Sequence, residues 1–130
     1  MLLDTSAVVA TIANEPSAVR YQTAMLGAAS LVMSAVTVLE SRIVLYSRHG
    51  KAAFEAFDDM LKEAEIEIAP FDAQLAELAF EAFRRYGKGQ RHPAKLNIID
   101  CAAYALARMR DEPLLFKGGD FDKTDVRQAI

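Results

Sequence analysis

Cysteine is nearly missing from this chain. Cys101 is the only one, so no internal disulfide forms and the fold does not rest on an oxidising compartment. Long hydrophobic runs are missing too. The apolar stretches are short and interrupted, which excludes a helical membrane span of about 20 residues. No basic segment leads into an apolar one at Met1-Leu2-Leu3-Asp4, so no signal peptide is expected; a cytoplasmic protein without membrane attachment is the expectation. Histidine is scarce: His49 and His92 lie in different segments and, with Cys101, offer no zinc-type cluster. Positive charge is not in excess. Fifteen Lys and Arg against 18 Asp and Glu give a formal charge of −3, so net charge does not single out nucleic acid as a partner. That exclusion is weak, because acids gathered around metal ions would lower the total; the distribution of charge matters more. There is no internal repeat, low-complexity tract or linker.

What is present is an ordinary globular composition. With 130 residues, 52% apolar and 25% charged, the chain reads as a single domain over 1–130, large enough to bury a core. Met1-Leu2-Leu3 suits an opening strand. Thr5 and Ser6 are good N-caps for a helix to about Ala13, and Pro16 opens a second helix that Gly27 closes. Leu31-Val32-Met33 reads as a strand, followed by a helix capped by Ser34 or Thr37 and ended by Gly50. Residues 51–64 are amphipathic, and Ile66-Glu67-Ile68 alternates as a strand does. Asp72 caps the clearest helix, whose apolar stripe runs from Leu75 to Tyr86 before Gly87. Lys88 to Lys95 form a loop, Asn97 caps a last helix, and Leu114-Leu115-Phe116 is a last strand. Strands alternating with helices imply parallel crossovers, hence an α/β fold with helices on both faces of a mostly parallel sheet.

The position of the acids carries the chemistry. Asp4 ends the first strand, Glu40 lies early in the helix after the second, Asp100 lies in the first turn of the helix capped by Asn97, and Asp120 follows the last strand. In an open parallel sheet, strand C-termini and the following helix N-termini share one edge, where ligands bind. Four acids from distant segments are thus expected to meet, a crowd that calls for a counter-cation. Oxygen ligands suit Mg²⁺, and such an ion polarises a phosphodiester for in-line attack. Each acid also has a plainer reading. Asp4 can be a turn residue, and Glu40 can be a solvated partner of Arg42 or Arg48. Asp100 can complement the helix dipole and reach back to its cap, although its apolar neighbours make a free carboxylate costly there. Asp120 competes with Asp122, while Asp125 suits a cap for the tail.

These segments resemble a known family. Met1-Leu2-Leu3-Asp4-Thr5-Ser6-Ala7 is similar to the opening of PIN domains. Ser34-Ala35-Val36-Thr37-Val38-Leu39-Glu40 resembles their second motif, Leu96-Asn97-Ile98-Ile99-Asp100-Cys101-Ala102-Ala103-Tyr104-Ala105 the third, and Leu114 through Asp125 the fourth. The ordered set spans the chain and resembles VapC-type toxins in particular. The resemblance implies a three-layer α/β/α domain and Mg²⁺- or Mn²⁺-dependent cleavage of RNA at Asp4, Glu40, Asp100 and Asp120; Thr5, Ser6, Asn97 and Thr124 are candidate supporting residues beside them, Thr124 either bonding a ligand acid or making a turn. It also implies a homodimer and a cognate VapB-like antitoxin whose tail masks the site.

From Ala82 to Ile99 there is no acid, while Arg84, Arg85, Lys88, Arg91 and Lys95 occur. Arg85, Lys88, Arg91 and Lys95 are candidates to hold RNA phosphates, against the plainer reading that cations favour helix C-termini. Phe80 lies off the main stripe of its helix and is a candidate contact for a partner subunit or antitoxin. Two alternatives stand beside the nuclease: a PIN-like module that binds RNA or protein without cutting, and a phosphoryl-transfer or phospho-receiver domain, for which Lys117 after the last strand is the only hint.

Overall fold

The computed structural model describes residues 1–130. In chain order the elements are β1 (Leu2–Leu3), α1 (Thr5–Ile12), α2 (Ala18–Gly27), β2 (Val32–Ser34), α3 (Ala35–His49), α4 (Lys51–Glu63), β3 (Glu67–Ala69), α5 (Ala73–Tyr86), α6 (Ile98–Arg110) and β4 (Leu114–Leu115), followed by a 3₁₀ turn at Phe121–Lys123. The four strands form one sheet in the order β3-β2-β1-β4, every pair parallel. The tail extends the sheet: the Leu114 amide donates to the Arg127 carbonyl at 2.9 Å and the Ala129 amide to Leu114 at 3.0 Å.

Alternation along the strands creates two cores. Leu2, Val32 and Leu114 face the side covered by α5, α6 and the tail, packing with Leu75, Tyr86, Leu106 and Phe121. Leu3, Met33 and Leu115 face the side covered by α1 to α4, packing with Val8, Tyr21, Leu45 and Phe57. The strands are short, and their two or three residues supply one or two side chains to each face. This is the expected α/β/α sandwich.

Connections at the upper edge are minimal. One residue, Asp4, separates β1 from α1, and β2 runs straight into α3 with Ser34 at the junction. Gly50 alone joins α3 to α4. Its φ of +86° is a conformation that costs a residue with a Cβ but not glycine, so the two helices can turn on a single residue.

Several local expectations change, among them the strand bounds: β2, β3 and β4 cover 32–34, 67–69 and 114–115 rather than 31–33, 66–68 and 114–116. The cap of α1 is Asp4 and not Thr5 or Ser6, because the Asp4 side chain reaches the Ser6 amide. Helix α2 starts at Ala18 rather than at Pro16, and Gly27 is its last residue. Strand β3 is an edge strand, so Ile68 is 45% exposed despite the alternating pattern. Asp125 does not cap the tail; it accepts a hydrogen bond from the Tyr104 hydroxyl, which ties the C-terminal segment to α6.

Phe57 is fully buried under α4. Phe57→Ala should therefore cost about 3–5 kcal/mol. A urea titration should show the midpoint falling sharply with an unchanged m-value. A shift equivalent to under about 1 kcal/mol would mean that the core on this face collapses around the gap.

Candidate active site

Asp4 sits where β1 hands over to α1. Its Oδ2 accepts from the Ser6 backbone amide at 3.0 Å and from the Ser6 hydroxyl at 2.6 Å. Its Oδ1 is buried and has no hydrogen-bond partner. Burial pushes the carboxyl pKa up, with the charge of Asp120 adding to it, against the pull of the Ser6 and Thr5 hydrogen bonds. The Ser6 hydroxyl, having donated to Asp4, accepts from the Lys117 amide at 2.8 Å. One serine thus couples the exit of β1 to the exit of β4.

Glu40 comes from α3, and its pKa is also raised, first by burial and then by the charge of Asp4; the Thr5 hydroxyl and the Arg48 guanidinium act the other way. Thr5 is itself held by the buried Ser41 hydroxyl, which donates to its Oγ1 at 3.3 Å. Asp100 completes a reciprocal cap. The Asp100 amide donates to Asn97 Oδ1 at 2.8 Å, and the Asn97 amide donates to Asp100 Oδ2 at 2.9 Å. Burial nevertheless lifts Asp100 to about 7, and Asp4, Glu40 and Asp120 each add to the rise. A cap alone would hold a carboxylate down, so crowding and burial outweigh it.

Asp120 is exposed, at the start of the 3₁₀ turn, without a capping bond. Its charge is felt at Asp4 and at Asp100. Asp122 instead lies over Gly119, and Asp125 is held by Tyr104, with Arg85 and Arg108 beyond at 3.7 and 3.9 Å. Of the three acids in this segment, Asp120 is the one whose charge acts on Asp4 and Asp100, although it does not line the cavity that those two share with Glu40. Thr124 serves its own turn: its hydroxyl donates to the Phe121 carbonyl and accepts from the Val126 amide.

Asp4, Thr5, Ser6, Glu40 and Asp100 line one open cavity of about 310 Å³, together with Glu15, Arg48 and Lys117. A larger cavity of about 540 Å³ lies among Met25, Leu26, Leu31 and Met60. It is mainly apolar and holds a single acid, Glu65, whereas the smaller one gathers four, so the chemistry belongs to the smaller one.

The sequence-based basic candidates lie elsewhere. Arg85 stacks on the Tyr86 ring at 4.7 Å and donates to its hydroxyl. Lys88, Arg91 and Lys95 are exposed on a loop closed at its base by pairing of Gly87 with Leu96. The cations at the cavity are Arg48 and Lys117, which charge clustering along the sequence did not single out. A signal existed for one: Glu40, Val44 and Arg48 are spaced i, i+4, i+8 and share a face of α3. Glu15, which pairs with Lys117, left no sequence signal.

The donor set suits a hard cation. The acids converge without His or Cys, and Asp4 Oδ1 has an unused buried lone pair. Cys101 is buried, and its thiol is pushed up to about 11, which keeps it protonated and unsuited to a soft-metal site. No three acid, His or Cys side chains are drawn into a closed ligand shell. Mg²⁺ does not require one, since it commonly takes one or two carboxylates and completes its shell with water and phosphate oxygens.

Comparison with known proteins places this architecture. The model of the PIN domain family matches residues 1–127. The ribonuclease VapC28 of Mycobacterium tuberculosis is 42% identical over 130 residues, covering 100% of this chain and 98% of that protein. Among solved structures, M. tuberculosis VapC20, described as a sarcin-ricin loop cleaving toxin, superposes with a TM-score of 0.80 at 19% identity, covering 96% of this chain and 95% of that one. A toxin–antitoxin complex from Klebsiella pneumoniae gives 0.67 at 19% identity, covering 92% and 88%.

The raised pKa of Asp100 has a consequence for stability. Without metal, the folded state holds a proton up to about pH 7 that the unfolded chain releases near 3.8. The stabilisation from that proton is full below 3.8 and is lost as pH rises through 7. In EDTA, the wild-type melting temperature should thus fall between about pH 5 and about pH 7.5 relative to Asp100→Asn, which retains an oxygen for the cap. Parallel melting curves for the two proteins would show that Asp100 is not the group responsible.

Proposed function

This chain belongs to the PIN-domain family, and from that premise we propose that it is a divalent-metal-dependent endoribonuclease acting in the cytoplasm as the toxin of a toxin–antitoxin pair. The observation that carries the reading is the convergence of Asp4, Glu40 and Asp100, from three separate elements, on one cavity with all three carboxyls pushed up. The kinship with a protein named ribonuclease VapC28 supports RNA as the substrate.

Asp4 and Asp100 would hold Mg²⁺ or Mn²⁺, with Glu40 in the same cavity and Asp120 acting on it from outside. Bound there, the ion supplies Lewis-acid charge for a phosphodiester. The chain's own residues do the rest. Ser6 fixes Asp4 by two hydrogen bonds and leaves Oδ1 free for a ligand. Asn97 fixes the Asp100 carboxylate through the reciprocal cap. Glu40, whose raised pKa suits a proton acceptor and which lines the same cavity, would take the proton of an attacking water. The rival phosphoryl-transfer reading rests on Lys117 alone, and kinship with proteins named ribonucleases does not favour it.

The partners follow the same reading. A cognate antitoxin is supported by the toxin–antitoxin complex among the structural neighbours. Homodimerisation is supported by Leu39, Ile43 and Tyr46, spaced i, i+4, i+7 on α3 and each more than half exposed. Phe80, 61% exposed, borders an apolar groove of about 420 Å³ with Phe71, Phe83 and Ile98, as a partner contact would.

The test is cleavage of a mixed RNA pool by the purified protein, free of antitoxin, with Mg²⁺ or Mn²⁺, with EDTA, and with Asp4→Asn. We expect metal-dependent cleavage, lowered by about 10²-fold or more in the variant. We also expect Mn²⁺ to raise the melting temperature of the wild type more than that of the variant. A metal-induced rise in melting temperature without cleavage of any RNA would support the non-cutting module instead.

A further inference from the structure

Substrate for the proposed reaction is an anion, and it must enter a cavity whose formal charge opposes it. Asp4, Glu40, Asp100 and Glu15 line that cavity against only Arg48 and Lys117. One divalent ion cancels this imbalance of two charges and leaves nothing over for a phosphate. The net charge of −3 provides no general attraction either. A phosphodiester therefore needs local cations, and the exposed loop of Lys88, Arg91 and Lys95 does not line the cavity.

Resting on the nuclease reading, we propose that Lys117 and Arg48 grip the phosphodiester backbone beside the acids, and that Glu15 occupies Lys117 until a substrate phosphate displaces it. The geometry suits such an exchange. The base of Lys117 is fixed, because its amide donates to the Ser6 hydroxyl that holds Asp4. Its ammonium pairs with Glu15, which follows α1 on another part of the chain. That pair is partly solvated, its side chains 46% and 30% exposed, and such pairs contribute little net stability, so opening it costs little. Gly118 follows at φ +101° with open space around it. Arg48 lines the same cavity from the last turn of α3, where it acts on Glu40 through its charge. A guanidinium there can meet two phosphate oxygens at once. Lys117 and Arg48 thus line the cavity of the acids from the exit of β4 and from α3.

The experiment compares wild type with Lys117→Gln, Arg48→Gln, Glu15→Gln and the control Lys62→Gln, which removes the same charge from the exposed end of α4. Two readouts are taken over a series of salt concentrations: cleavage of a mixed RNA pool with Mg²⁺, and fluorescence anisotropy of a labelled single-stranded DNA pool with Ca²⁺. Lys117→Gln and Arg48→Gln should each raise KM by about tenfold and lower kcat by less, as expected for one charge-assisted contact. Each should flatten the salt slope of DNA binding by about 0.7. Glu15→Gln should lower KM and tighten DNA binding, and Lys62→Gln should match the wild type. Unchanged KM and salt slope in Lys117→Gln, with the wild type cutting RNA, would overturn the proposal and leave the nuclease reading intact. Loss of DNA affinity in Lys117→Gln, from a wild type that cuts no RNA, would support the phosphate grip and overturn the nuclease reading. A higher Mg²⁺ requirement in Glu15→Gln would make Glu15 a metal-side group and end its role as a latch. A wild type that neither cuts RNA nor binds DNA would overturn both readings.

Discussion

The parallel pairing of β1 with β2 on one side and with β4 on the other is the constraint on which the site depends. Leu2 is in register with both Val32 and Leu114, so three strands end at nearly the same level. Whatever follows each strand is delivered to one edge. Asp4 follows β1 directly, α3 with Glu40 follows β2 without a break, and Lys117 and Asp120 follow β4. Asp100 reaches the same edge from the N-terminus of α6, which packs across β1, β2 and β4 on the other face. A site assembled in this way needs no long loops, and its precision comes from the hydrogen bonds of the sheet.

That edge carries an electrostatic cost. Three carboxyls share a partly buried cavity, each raised first by burial and then by at least one neighbouring acid: Asp120 at Asp4, Asp4 at Glu40, and Asp4, Glu40 and Asp120 at Asp100. An isolated protein core would not select such a cluster, because each buried carboxylate opposes folding unless it is paired. The remaining polar groups reduce the cost without removing it. Ser6 satisfies one oxygen of Asp4, Asn97 satisfies one oxygen of Asp100, and Thr5 with Arg48 favours the charged form of Glu40. The other oxygen of Asp4 stays unpaired. Strain of this kind is the mark of a site shaped for a ligand and not for stability alone.

Away from the edge, the network at the C-terminal segment has a structural part. The Tyr104 hydroxyl is pushed up by burial and by its bond to Asp125, while Asp125 is held down by that bond and by Arg108 and Arg85. Tyr104 lies one turn beyond Asp100 on α6. The same helix therefore presents one acid to the cavity and anchors the segment that carries Asp120.

Much of this was legible along the chain because local rules act over a few residues. The caps at Asp72 and Asn97, the stop at Gly50 and the order of strands and helices follow from spacing and from backbone chemistry. So does the edge to which Asp4, Glu40 and Asp100 belong, since in a parallel sheet strand ends and helix starts coincide. The rest depended on distances that sequence does not encode locally. Lys117 meets Glu15 across 102 positions, and Ser6 meets the Lys117 amide across 111. The dense basic stretch before Asp100 was the stronger signal in sequence, yet its loop closes on itself through Gly87 and Leu96 and stays outside the cavity. The sequence by itself determined which acids reach the edge, because chain direction and strand order follow from local pattern. Only the tertiary structure decided which cations face them, because a long side chain on an exposed turn is placed by packing between elements far apart in the chain.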